Sequence, residues 1–155
     1  KQVKNSADFI GLNYYTHVLT SPFLPQTTEI DLPSRNHETV TEFGYPMYAE
    51  GLDRASKWLS KLNLPIEITE NGVADKEDNL RPKHLKRHLW MIAKLIQEGI
   101  DIKSYYHWSL MDNFEWAEGY SMRFGLYHVD YETQTRTLRA SGKAYQSIIK
   151  QHQNN

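Results

Sequence analysis

The chain has 155 residues, 39% of them apolar, enough to bury one ordinary core, so residues 1–155 are expected to belong to a single domain. Lys and Arg number 18 against 19 Asp and Glu, and this balance excludes recruitment to nucleic acid or to an anionic membrane by net charge. There is no cysteine, which rules out disulfides and thiolate metal sites and leaves the redox compartment open.

Lys1-Gln2-Val3-Lys4-Asn5 lack the apolar stretch of a signal peptide, and no apolar run approaches the ~20 residues of a membrane span. The expectation is a soluble, cytoplasmic chain. Asp8-Phe9-Ile10-Gly11-Leu12-Asn13 reads as a strand buried on both faces. Residues 16–45 carry Pro22, Pro25, Pro33 and Gly44 without a sustained period, so a long loop is expected, lying over a site. Leu52, Ala55, Leu59 and Leu62 recur at helical spacing until Asn63-Leu64-Pro65 ends the pattern. Leu64-Pro65-Ile66-Glu67-Ile68-Thr69 is a second strand, closed by Glu70-Asn71-Gly72. Pro82 opens a helix whose Leu85, Leu89, Ile92, Ala93 and Ile96 are expected to form the packed face, and Gly99 fits a left-handed C-terminal cap. A third strand over residues 102–108 precedes an irregular stretch rich in aromatics and glycine. Val129-Asp130-Tyr131 and a last helix over residues 140–150 follow.

The order βαβαβα implies parallel strands joined by right-handed crossovers, either in an open sheet or in part of a (β/α)8 barrel. No strand is followed by G-x-G-x-x-G or G-x-x-x-x-G-K, which argues against a nucleotide-binding sheet. Each strand ends in polar or aromatic residues, as at the catalytic rim of a barrel. The fold class is therefore α/β, and of the two arrangements a partial (β/α)8 TIM barrel is favoured.

Glu70 stands directly after an apolar strand, where a carboxylate can be aimed for nucleophilic attack, although Glu before Asn-Gly also simply begins turns. Two other strand ends add aromatic and polar residues, Asn13-Tyr14-Tyr15 and His107-Trp108. Such a mixture suits a sugar, whose apolar faces stack on rings while its hydroxyls hydrogen-bond. His84 and His88 have the i, i+4 spacing of a helical metal pair, but Lys83, Lys86 and Arg87 surround them. A solvated helix face is expected, with no metal and no nucleic-acid site.

Asp8-Phe9-Ile10-Gly11-Leu12-Asn13-Tyr14-Tyr15, Thr41-Glu42-Phe43-Gly44, Ile68-Thr69-Glu70-Asn71-Gly72, Trp108-Ser109-Leu110-Met111-Asp112-Asn113-Phe114-Glu115-Trp116 and Arg123-Phe124-Gly125-Leu126 resemble, in order, signature segments of family 1 glycoside hydrolases. The resemblance runs over essentially the whole chain. It implies a β-glucosidase-like retaining β-glycosidase and the C-terminal portion of its barrel, strands six to eight with their helices. It makes Glu70 the nucleophile and Tyr15 the tyrosine that hydrogen-bonds it. Glu115 then accepts bonds from glycone hydroxyls, Trp108 lies under the glycone, Trp116 reaches a hydroxyl, and Asn13 lies near the leaving group. Relatives that act on 6-phosphoglycosides carry serine, lysine and tyrosine where Glu115, Met122 and Phe124 stand. A carboxylate at Glu115 repels a phosphate dianion, so an unphosphorylated β-glycoside is the expected substrate, with Phe124 in its site.

A retaining mechanism needs a second carboxyl ~5–5.5 Å from the nucleophile. The family takes its acid/base from a Thr-x-Asn-Glu-Pro segment, which this sequence does not contain. The expectation is a chain that is inactive alone and requires no cofactor. It would act with the N-terminal portion of the same barrel, or self-associate through its open strand edges. The alternative is a non-catalytic carbohydrate-binding remnant or inactive fragment of such an enzyme.

Overall fold

The computed structural model describes residues 6–18 and 37–152. Three parallel strands form the central sheet: β1 (Ile10–Asn13), β2 (Ile66–Asn71) and β3 (Ile102–His107), in the order β1-β2-β3. The helix α1 (Glu50–Leu59) leads from β1 to β2, and α2 (Arg81–Gln97) leads from β2 to β3. A two-stranded antiparallel ribbon, β4 (Tyr127–Val129) and β5 (Arg136–Leu138), follows, and α3 (Ala140–His152) ends the described chain. Ribbon strand β5 and the β4–β5 pairing are additions to the order read from sequence. Three residues per strand, with exposed Arg136 and Thr137, leave no alternating apolar signal.

The core lies between the sheet and the helices, where Leu52, Ile66, Ile68, Met91, Leu95 and Ile102 pack with Tyr14. The burial of β1 is one-sided, with Gly11 and Asn13 exposed and Ile10 and Leu12 half-buried. It is an edge of this sheet, and the expectation of burial on both faces does not hold here. The periodic pattern of α1 breaks at its end: Ser60–Leu62 tighten into a 3-10 turn, Asn63 turns left-handed at φ 54°, and Leu62 points outward. Gly99, at φ 87°, occupies the left-handed position expected after α2. Of the expected long loop, residues 19–36 lie outside the described residues. Val40 bridges Pro46 in the part that is described.

Helix α2 requires the main correction. Its buried stripe is Arg81, His84, Leu85, His88, Met91, Ile92 and Leu95, while Ala93 and Ile96 are exposed. His84 and His88 are not on a solvated face: each is 1% exposed, and their rings stack at 3.9 Å. The helix is apolar on two flanks. One faces the sheet, and the other, through Leu89, Ala93 and Ile96, lines a groove shared with Tyr145 and Ile149 of α3. Counting apolar residues merged the flanks and assigned the histidines outside. Lys83, Lys86 and Arg87 are exposed as expected, with Arg87 paired to Glu50 across the helices at 3.0 Å.

Candidate functional site

The C-terminal ends of β1, β2 and β3 lie side by side, because parallel pairing in near register aligns them. Glu70 therefore comes opposite Asn13 of β1, and Asn71 opposite His107 of β3. Two backbone bonds continue the alignment past the strand ends: Tyr14 N donates to Glu70 O, and Trp108 N to Asn71 O, each at 2.9 Å. Gly72 is required where the ends converge. A Cβ there would lie 1.7 Å from the carbonyl oxygen of Trp108.

Glu70 is half-buried, and its Oε2 accepts a hydrogen bond from the Tyr15 hydroxyl at 2.7 Å. Burial, followed by the hydrogen bond to Glu70 and the charges of Glu70 and Glu115, raises Tyr15 well above the ordinary tyrosine range. The phenol stays protonated and remains a donor to the carboxylate. Phe124, 5% exposed, meets the Tyr15 ring edge-on at 6.3 Å and Phe43 at 5.9 Å. Its ring is buried against the tyrosine, and its carbonyl accepts from Ser109 N at 3.2 Å, just past the end of β3. Asn13 is exposed, and its Oδ1 accepts from the Thr69 hydroxyl at 2.6 Å.

After β3 the chain passes through a cis Trp108–Ser109 peptide into the irregular aromatic stretch. Trp108 Nε1 donates to Glu115 Oε2 at 3.4 Å, bringing indole and carboxylate together beside the strand ends. Trp116 begins a 3-10 turn at φ 42° and is 82% exposed. Structure thus joins Glu70 to Tyr15, Tyr15 to Phe124, and Trp108 to Glu115, while Asn13 and Trp116 stand at the edges.

Asp112 anchors this stretch. It is 3% exposed and accepts from Gly125 N at 2.9 Å, Val129 N at 3.2 Å and Arg139 at 3.0 Å, with Arg123 at 3.4 Å. Two guanidinium groups and two amides offset the cost of burying its charge. Sequence reasoning placed Asp112 in a signature segment without a role. Among the described residues, no group of three or more His, Cys, Asp or Glu is placed to hold a metal ion, and no helix is long and apolar enough to cross a membrane.

The model of Glycosyl hydrolase family 1 matches residues 1–154. Beta-galactosidase of Sulfolobus acidocaldarius is 37% identical, over 97% of this chain and 33% of its own length. Beta-glucosidase A of Thermotoga maritima is 39% identical, over 96% of this chain and 36% of its own. The solved structure of the family 1 β-glucosidase from Thermotoga maritima superposes with a TM-score of 0.86 at 38% identity, covering 96% of this chain and 36% of that one. That of the hyperthermophilic beta-glucosidase from Pyrococcus furiosus gives 0.84 at 40%, covering 93% and 33%. The chain spans about a third of the length of these relatives, as expected of part of a barrel.

Proposed function

The chain belongs to glycosyl hydrolase family 1, and on that premise we propose that it is the nucleophile-bearing part of a retaining β-glycosidase. The carrying observation is the Tyr15–Glu70 pair: a carboxylate fixed at a strand end, with one oxygen held by a permanently protonated phenol at 2.7 Å. Such a carboxylate has a defined direction of attack, the requirement for forming a glycosyl-enzyme ester at the anomeric carbon. Trp108 and Glu115 supply, at the neighbouring strand end, a ring face and an acceptor for neutral hydroxyls. Asn13 would lie toward the leaving group and Trp116 toward the far edge of the sugar, while Phe124 shapes the site from behind Tyr15.

In this reading residues 1–155 are the C-terminal part of one barrel domain, β1, β2 and β3 being its sixth, seventh and eighth strands. The acid/base comes from the N-terminal portion of the barrel, in the same chain or in an associated one. Glu115 disfavours a phosphorylated glycone, so the substrate is an unphosphorylated β-glycoside. The relatives named as beta-glucosidases and beta-galactosidases suit this class. In the test, a chromogenic aryl β-glucoside is offered to the chain alone and to the chain with its N-terminal complement, and a 2-deoxy-2-fluoro glycoside is used to trap the ester. Turnover only with the complement, and label on the peptide containing Glu70, are expected. Turnover that survives Glu70→Gln, or label elsewhere, would refute the assignment.

A further inference from the structure

Behind Glu70 lies a layer of hydrogen-bonded side chains on the helix side of the sheet. Strict alternation breaks near the end of β2, where the pairing with β3 shifts register between Ile68 and Asn71: Thr69 and Glu70 are both half-buried, whereas Asn71 is buried like Ile66 and Ile68. Asn71 is fully buried. It lies on the helix side, where Tyr14 approaches His88 of α2 at 6.2 Å and Tyr105 approaches Tyr145 of α3 at 6.1 Å between ring centres. Its Nδ2 donates to the Tyr14 carbonyl at 2.6 Å, and its Oδ1 accepts from the Tyr105 hydroxyl at 3.0 Å. Both ends of one amide are thus used to link all three strands.

The held carbonyl is part of the peptide group that leads into Tyr15. The other end of Tyr14, its amide nitrogen, donates to Glu70 O at 2.9 Å. Tyr14 is therefore fastened at both ends to consecutive residues of β2. This matters because β1 ends at Asn13, and Tyr15 lies beyond the strand pairing that would otherwise fix it.

We infer that Asn71 is a positioning residue for catalysis: it sets the Tyr14–Tyr15 peptide so that the Tyr15 phenol meets Glu70, with the Tyr14 carbonyl, which can only accept, taking the amide's donor end and Tyr105 holding the other end. The inference rests on Glu70 being the nucleophile. Asparagine is needed at this position because it donates and accepts at once. Aspartate offers no donor to the Tyr14 carbonyl, and leucine offers neither function.

A kinetic cycle in the complete enzyme tests this, with active sites counted by the trapped fluoroglycosyl ester. Asn71→Leu is expected to lower kcat at least about tenfold, the scale of one hydrogen bond to a charged group, with KM within about twofold. Tyr105→Phe is expected to give a smaller loss of the same kind, and it serves where Asn71→Leu does not fold. Placed on Tyr15→Phe, either substitution should cost little more, because the contact it positions is already gone. An equal fold-loss in both backgrounds would overturn the inference, since a purely structural role does not depend on Tyr15. Turnover surviving Glu70→Gln would overturn the nucleophile premise instead, and the inference with it.

Discussion

Acid should destabilise the protein through three imidazoles packed between α2 and the sheet. Burial lowers His88 to about 4 and His107 to about 3, and pushes His84 well below its ordinary value, with neighbouring positive charge from Arg81 and Arg87 acting the same way. Neither ring nitrogen of His84 has a protein partner, nor does Nε2 of His88 or of His107. An unfolded histidine takes up its proton near pH 6.5, whereas these rings stay neutral in the native state until much lower pH. Between those values the unfolded state binds more protons. Stability is therefore fully present above about pH 6.5 and is lost as pH falls toward the native values. From pH 7 to pH 5 the loss is about 2 kcal/mol for His88 and about 2 kcal/mol for His107, with His84 adding in the same direction. The assay is urea unfolding of the complete enzyme at both pH values, where a loss of about 4 kcal/mol lowers the midpoint by roughly 1–2 M. His84→Leu with His88→Leu should flatten the dependence by at least about 2 kcal/mol, because leucine carries no proton. The reasoning fails if the doubly substituted protein loses as much stability between pH 7 and pH 5 as the parent.

Tyr15→Phe removes the 2.7 Å donor to Glu70 and should lower kcat about tenfold to a hundredfold, measured with an aryl β-glucoside at saturation. Gly72→Ala drives a methyl to 1.7 Å from the Trp108 carbonyl oxygen, so β2 and β3 must part at the rim; the expected result is a lowered melting temperature together with lost turnover. Asp112→Ala strands Arg123 and Arg139 and should cost about 3–5 kcal/mol in chemical denaturation.

The rim was legible in the sequence because its residues follow their strands directly. Glu70, Asn13 and His107 each sit at a change from apolar to polar, and parallel pairing then brings those changes to one level. Contacts between distant segments left weaker traces. Nothing local in Asn71 distinguishes a buried strut from a turn residue, because its partners Tyr14 and Tyr105 come from other strands. The buried face of α2 was misassigned for a related reason. A neutral imidazole is compatible with a core, and hydropathy counts it as polar, so the apolar flank toward α3 took its place. Gly72 could have been suspected, since a glycine after a catalytic strand end often permits close approach. The neighbour it admits, the Trp108 backbone, is visible only in the fold.

The strand β2 divides its work at the irregularity that precedes Asn71. Glu70 lies at the rim and is hydrogen-bonded by Tyr15, while Asn71 faces the helices and carries the links that hold Tyr14. These adjacent residues respond to different pressures. On the proposed function, substitutions at Trp108, Glu115 and Asn13 on the rim side are expected to alter substrate choice, read as a change in KM between aryl glycosides, while leaving the interior packing intact. Substitutions behind the sheet reach the reaction only through geometry, so they change kcat before KM. Leaving aside Glu70 and its partner Tyr15, whose loss lowers kcat directly, two variants with the same loss of kcat/KM can then be sorted by which constant moved.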